Sequence, residues 1–431
     1  MADASTTHGY TNTNSLWMQS EVIRPKLQEW QESFVVASNL IEKTEVTRVG
    51  ERDFRAPIWL SAGGRFGTYD NNFGDMGRGS SMTGDRLIST FFPLRLNFEL
   101  SKLKMDATAD AKVSPAGSVF KETMKRAMRE FAVYNDFSFH TDGTAVAGTA
   151  TATATVSGAT TYTLDANFGI QRMRRGMYVV VYSSDFNTLR ASGMFVTKID
   201  YSNKKITLSG LVASAGATDV ICFDGVNTTG AAPTWKQGLY YHNSYASSGT
   251  YQGLDRAVEP ELAVNSINAN GALTWNHGLL LLDAIGQRRG QEPTGLKGLA
   301  NISQRAQIFS EQVALTVNLQ NSKDMEARDF LPNATKDASK SSFPFAGIDH
   351  LLDYRQDRSR LDWIVPSLWG KARLNQLGYF EIGGQRFFFI PGPSGAPQAG
   401  LWFSLTQDEN FVSFDPGSQG TIYGCSLPSG Y

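Results

Sequence analysis

The stretch GGRFGTYDNNFGDMGRGSSMTGD, residues 63–85, sets repeated glycines beside Arg65, Arg78 and several acids. Glycine allows positive φ and close backbone approach, so such a loop could cradle a phosphate. That chemistry needs a helix N-terminus directly after the turn, where aligned N–H groups meet the anion. No G-x-x-x-x-G-K-[ST] pattern occurs in the chain, and GDMGRG has the wrong order for G-x-G-x-x-G. The flanks are also wrong for a phosphate loop. Downstream, Leu94, Leu96, Phe98 and Leu100 alternate with Arg95, Asn97 and Glu99, the period of a strand with one buried face. Upstream, VTRVGERDFRAPIWLS is extended by its β-branched and aromatic content. The glycine-rich stretch therefore joins strand to strand, as a long extended hairpin.

Other chemistry-bearing residues are sparse. The histidines, His8, His140, His242, His277 and His350, show no H-E-x-x-H spacing, and Cys222 and Cys425 form no C-x-x-C. His350, Asp353 and Asp357 would share one face of a helix, with Asp349 beside them, and could hold a metal. Arg355, Arg358 and Arg360 among them favour a solvated charge lattice instead. No G-x-S-x-G elbow anchors a nucleophilic serine. The basic clusters QRMRRG (Arg172, Arg174, Arg175) and QRRG (Arg288, Arg289) lack regularly interleaved aromatics, which favours surface or subunit contacts over base reading. The residues thus predict no enzyme, no cofactor and no metal. Trp17, Trp30 and Trp59 read equally as core or interface anchors.

Composition sets the remaining bounds. The chain has 431 residues, enough for two or three domains, with 41% hydrophobic and 19% charged residues. A net charge of −1 gives no global field for nucleic acid. Two distant cysteines suit a reducing compartment, and the polar start MADASTTHGYTNTNS carries no apolar signal segment. The apolar cluster GLLLLDAIG is far short of a membrane span. These features predict a soluble protein made in the cytoplasm, with no membrane partner.

The elements that must position these residues form an α+β pattern. Residues 1–14 read as a polar arm, followed by apolar positions at helical spacing in which Pro25 opens PKLQEWQESFVVASNLIEK. A helix opening at Ser114-Pro115 runs to about Phe139, with Phe120, Met124, Ala127, Phe131 and Tyr134 as its buried stripe. It would be about 40 Å long, enough to serve as a spine. At Thr144 the composition switches to AVAGTATATATVSGATTYTL, and short β-rich runs with turns, such as Tyr201-Ser202-Asn203, continue to about Gly225. This spacing predicts an inserted β-barrel or sandwich. ALTWNHGLLLLDAIGQRRG, stopped by Gly290, and LANISQRAQIFSEQVALTVNLQNS read as helices. Residues 320–346 read as a polar loop, and GIDHLLDYRQDRSRLDWIVPSLWGKARLNQLG as further helix with a strand at LDWIV. The end, around RFFFIPG and GLWFSLTQDENFVSFDPG, reads as β, with a tight turn at Gly383-Gly384.

In this order of elements the chain resembles the major capsid protein of tailed double-stranded DNA bacteriophages, the Hong-Kong-97-like fold. MQSEVIRPKLQEWQ matches the N-terminal arm, RFGTYDNNFGDMGRGS the extended loop (E-loop) and VFKETMKRAMREFAVYNDF the spine helix. The resemblance implies an arm at 1–50, an E-loop at 51–105 and a spine helix of the peripheral domain at 106–143. It implies an inserted β module at 144–225, a return to the peripheral domain at 226–261, an axial domain at 262–375 and a closing β part at 376–431.

Function follows the resemblance: a coat protein assembling with copies of itself, as hexamers and pentamers, into an icosahedral head. Intersubunit contacts are then expected from Trp17, Trp30, Trp59, Arg65, Phe66, Tyr69, Phe73 and Arg78. Lys121, Lys125, Arg126 and Arg129 would face the lumen or a neighbouring subunit. The implied partners are a portal protein, a separate scaffolding protein, a cement or decoration protein, and packaged DNA held without sequence specificity. The implied location is the virion capsid, assembled in the host cytoplasm. Some members weld subunits through an E-loop lysine, but no lysine occurs between Lys43 and Lys102, so no such weld is expected through this loop. Two alternatives stay open: an encapsulin-like compartment shell, and a carbohydrate-binding protein or hydrolase using the β module.

Overall fold

The computed structural model describes residues 40–41, 53–61, 63–66, 78–101, 119–167, 169–224, 230–291, 293–319, 342–391 and 397–428. The chain forms two compact units, each assembled from separated segments. One contains Phe92–Lys236 and Leu374–Glu409; the other contains Leu40–Phe91, Gln237–Arg373 and Asn410–Tyr431.

The first described strands, β1 (Asp53–Ser61) and β2 (Thr83–Thr90), pair antiparallel as a two-stranded ribbon. Strand β3 (Phe92–Ser101) follows, with Leu94 and Leu100 buried and Arg95, Asn97 and Glu99 exposed, as its alternation requires. Helix α1 (Val119–Phe139) turns Met124, Ala127 and Phe131 into one core with Leu94, Leu100, Phe403 and Leu405. One turn further on, Val133 and Phe137 join a second core.

That second core fills a closed barrel in the order β4-β5-β8-β7-β6-β9. Its strands are β4 (Val146–Val156), β5 (Ala159–Leu164), β6 (Tyr178–Tyr182), β7 (Leu189–Asp200), β8 (Lys205–Leu208) and β9 (Val220–Phe223). Strand β4 pairs with both β5 and β9, so the ring leaves no open edge. Alternate residues such as Tyr162, Leu164, Ile206 and Leu208 point inward, while β6 and β9 are nearly continuous apolar runs. The strands entering and leaving the barrel are zipped together. The Ala145 N–H donates to Pro233 O and the Trp235 N–H to Gly143 O, both at 2.8 Å, around a Thr144–Thr234 bridge.

Past the barrel come the short helix α2 (Leu239–His242), the small hairpin β10 (Thr250–Tyr251) and β11 (Leu254–Asp255), and then β12 (Asn265–Gly271). Helix α3 (Trp275–Arg289) starts at a Thr274–His277 capping box and stops at Gly290, whose φ of 65° is left-handed. Strand β13 (Lys297–Ala300), helix α4 (Ile302–Leu319), and strands β14 (Ser342–Phe345), β15 (Ile348–Leu352) and β16 (Leu361–Ile364) follow. The last strands are β17 (Trp369–Tyr379), β18 (Phe388–Pro391), β19 (Pro397–Ser413) and β20 (Gly420–Cys425). A six-stranded sheet runs β12-β20-β16-β13-β15-β14 and packs against α3 and α4 around Leu281, Ile285, Ile308, Phe345 and Trp363. In the other unit, β19 pairs along its length with β3 in unbroken register from Glu409–Phe92 to Gly400–Ser101.

One stretch differs from its helical reading. His350 lies in β15, and Asp353 and Asp357 lie in the loop after it, so the three share no helix face. The charges there are not a solvated lattice either, because Arg360 and Asp362 form a buried ion pair at 2.6 Å. Asn243 and Gln356 add hydrogen bonds to that pair, and the guanidinium lies 4.2 Å over the Tyr240 ring.

Candidate interaction surface

The β1–β2 ribbon changes character along its length. At its root Phe54 meets Phe414 edge-on at 6.3 Å, and Leu87 packs with Tyr251 and Leu262. Ser89 donates to Gln237 Oε1 and accepts from Asn410 Nδ2, and the Ile88 N–H donates to Gln252 O at 2.7 Å. Apolar burial and satisfied polar groups thus fix the root to its own unit.

Beyond Ile58 this support ends. Thr83 to Arg86 are all exposed, Trp59 is 76% exposed and Met82 64%. Trp59 sits opposite Gly84, so no cross-strand side chain covers the indole. Pro57, which has no N–H to donate, is compatible with a ribbon that has open edges. Past the strands the two arms stay close because of glycine. Gly63 has φ 67°, and a Cβ there would lie 2.4 Å from Ser80 O. Ser80 Oγ closes the same point by donating to Gly63 O at 3.1 Å. Arg65, Phe66 and Arg78 leave this pinch exposed.

The expected contact residues therefore divide. Trp59, Arg65, Phe66 and Arg78 belong to one exposed projection; Trp17, Trp30, Tyr69 and Phe73 lie outside the described residues. Of the basic group, Lys125 and Arg129 are exposed one turn apart on α1, on either side of the exposed Met128. Arg126 is half-buried, and the Lys121 side chain lies outside the described residues. In the other basic clusters Arg172 is buried, Arg288 donates to Ala263 O and Pro260 O, and Arg289 pairs with Asp415.

His350, His242 and the two cysteines are committed to structure. His350 donates from Nδ1 to Ile348 O and accepts at Nε2 from Trp363, the tautomer that both contacts require. Burial pulls its pKa down to about 4, and that of His242 to about 3. Burial pushes both cysteine thiols up to about 12, the opposite of an activated nucleophile. Sequence reasoning missed a clamp in the unit that carries the barrel. Lys236 Nζ donates to Glu409 Oε1 at 2.9 Å and to Asn135 Oδ1 at 2.6 Å, while Asn135 and Gln407 donate to the same carboxylate. Lys236 and Glu409 are fully buried and 173 residues apart, so no local pattern marks the pair.

No protein-family model matches the sequence, and no curated protein does. Among solved structures, the chain is similar to one in the capsid asymmetric unit of cyanophage A-1(L). Identity is 12% and the TM-score 0.53, over 96% of this chain and 99% of that one. A chain of the native GTA particle capsid is 10% identical with a TM-score of 0.47, over 99% and 100% of the two chains. A chain of the cyanophage P-SCSP1u capsid is 9% identical with a TM-score of 0.44, over 99% and 100%. At such low identity the first likeness establishes a shared fold. This chain has an α+β phage-capsid fold.

Proposed function

We propose that the chain is the major capsid protein of a tailed double-stranded DNA phage, a structural subunit that builds the head by self-assembly. The observation that carries this reading is the ribbon, whose root is tied to its own unit while its distal half holds Trp59, Phe66 and Met82 in solvent. A two-stranded ribbon is marginal alone, and exposed apolar side chains on a projection call for a covering partner. In a closed symmetric shell the covering surface is another copy, and each modest contact recurs at every subunit. The fold shared with a cyanophage capsid chain supports that choice of partner.

In its finer form the reading takes 1–50 as an arm, 51–105 as the E-loop, 106–143 as the spine helix and 144–225 as an outward β module. It takes 226–261 and 376–431 as the rest of the peripheral domain, and 262–375 as an axial domain around the symmetry axes of hexamers and pentamers. Portal, scaffolding and cement proteins are its further partners, and its near-neutral charge suits lining packaged DNA without gripping sequence. Electron microscopy and light scattering of purified protein, with scaffold supplied, should show closed particles. A stable monomer under all assembly conditions would overturn the reading.

A further inference from the structure

The clamp of Asn135, Lys236 and Glu409 brings together an amide, an amine and a carboxylate, all in the unit that carries the barrel. Asn135 projects from α1, Lys236 directly follows Trp235 of the barrel's stem, and Glu409 lies in β19. Each is held by its surroundings. Strand β19 is locked to β3 along its length, and Thr141 Oγ1 donates to the Lys236 backbone carbonyl at 2.8 Å. Lys236 and Glu409 are fully buried and Asn135 is 9% exposed, so bulk water has little access to the three.

The hydrogen bonds give each group one orientation. Lys236 Nζ sits 2.6 Å from Asn135 Oδ1, and with a C=O bond of about 1.23 Å it lies within about 3.8 Å of Cγ. Glu409 Oε1 accepts from both nitrogens, from Lys236 Nζ at 2.9 Å and from Asn135 Nδ2 at 3.1 Å. Gln407 Nε2 occupies the other carboxylate oxygen, Oε2, at 2.6 Å. One oxygen therefore touches both the amine that would attack Cγ and the amide nitrogen that would leave it. That is the reach a proton shuttle needs.

From this juxtaposition we infer that the clamp closes into an amide bond between Lys236 Nζ and Asn135 Cγ, with release of ammonia. Glu409 first takes a proton from the ammonium, leaving a neutral amine beside a neutral acid. The amine attacks Cγ, and the C=O π pair moves onto Oδ1. Glu409 passes its proton to Nδ2 and takes a second one from Nζ. The Oδ1 pair then returns, the Cγ–Nδ2 bond breaks and ammonia departs. The ammonia carries off the proton left on Glu409, which restores the carboxylate without any oxidant or cofactor. Fixed positions replace a chance encounter, and burial suppresses competing hydrolysis. Asn135 and Lys236 are 101 residues apart and flank the barrel, so the bond would close a covalent ring around it. Unlike an E-loop weld between subunits it lies within one chain, and it does not depend on the coat-protein reading.

The test is the intact mass of the unassembled protein, denatured after prolonged incubation in the folded state. It should be lighter than the sequence by one ammonia, and a tryptic digest should yield one branched peptide that joins Asn135 to an uncleaved Lys236. Asn135→Ala keeps the Lys236–Glu409 pair and should carry its full mass. If Asn135→Ala does not fold, Lys236→Arg leaves Glu409 a cation that cannot be deprotonated to attack, and it too should carry its full mass. A parent protein of full mass would overturn the inference. So would an ammonia loss that persists in these variants, or one mapped only to Asn270-Gly271, where succinimide closure expels the same molecule.

Discussion

The barrel and the β1–β2 ribbon are both built from antiparallel strands, and they reach opposite ends. In the barrel each strand has a neighbour on both sides, and its inward residues fill one core. Away from its root, where the Ile88 N–H meets Gln252 O, the ribbon has open edges, and beyond Ile58 its described side chains join no core. Closure makes one region self-sufficient, while its absence leaves the other dependent on something outside the chain. The comparison teaches that dependence on a partner resides in how strands are completed, not in which residues compose them.

Deleting residues 64–79, the end of the ribbon beyond its glycine pinch, should give the largest effect. Particles seen by sedimentation and microscopy should disappear while unassembled protein loses only about 1 kcal/mol, because the described residues of the segment, 64–66 and 78–79, are all exposed. Unfolding of the monomer by this deletion would break the comparison. The next effect is smaller and falls on the barrel's own unit. Lys236→Met leaves Glu409 buried without its cation and should cost about 3–5 kcal/mol in urea unfolding. An excised fragment 142–236 already lacks Glu409, so the same substitution should leave its melt nearly unchanged.

Acid separates the two regions again. His242 and His350 have folded pKa values of about 3 and 4, below the unfolded value near 6.5. The unfolded chain therefore takes up these protons first. Stability is complete above about pH 6.5 and falls as pH drops toward 4, by up to roughly 1.4 kcal/mol per unit for each histidine. Both lie in the unit that anchors the ribbon, and His242 contacts Tyr251 at its root. No histidine occurs between His140 and His242, and Asp185, whose carboxyl the Ser183 and Asn187 hydrogen bonds hold at about 2, gives up its share of barrel stability only once pH falls below about 4. Circular dichroism on acidification should show the barrel outlasting its neighbour unit. The smallest effect belongs to Trp59→Ala, which should move monomer stability by less than about 0.5 kcal/mol while weakening assembly. A large loss of monomer stability would place the indole in an intramolecular role.

Much of this contrast is written locally. The strict alternation from Leu94 to Leu100 specifies β3, and the Met124–Ala127–Phe131 spacing specifies the buried face of α1. Gly290, Gly383 and Gly384 mark turns because their positive φ is a property of the residue itself. The stretch around His350 misleads for a physical reason. Strand β16 is buried at every position and β15 carries a short apolar run, and such runs have no period that separates strand from helix. Arg360 and Asp362 pair across two residues, the spacing of one strand face, which charge spacing read as a helix conceals. Trp59 and Phe66 were legible as contact candidates because glycine-rich neighbours cannot cover them. The Lys236–Glu409 clamp was not, since its meaning depends on burial that only tertiary packing creates.

The zipped stem of the barrel has a mechanical and genetic consequence. Because Thr144 and Thr234 are bridge partners, the chain enters and leaves the barrel at one point, roughly 5 Å across. A pull on the barrel would load the Ala145–Pro233 and Gly143–Trp235 bonds one after another, peeling the stem. The same geometry makes the position a natural splice point. A compact domain with adjacent termini could replace the barrel there provided it also covered Val133 and Phe137 of α1, which the barrel core now holds.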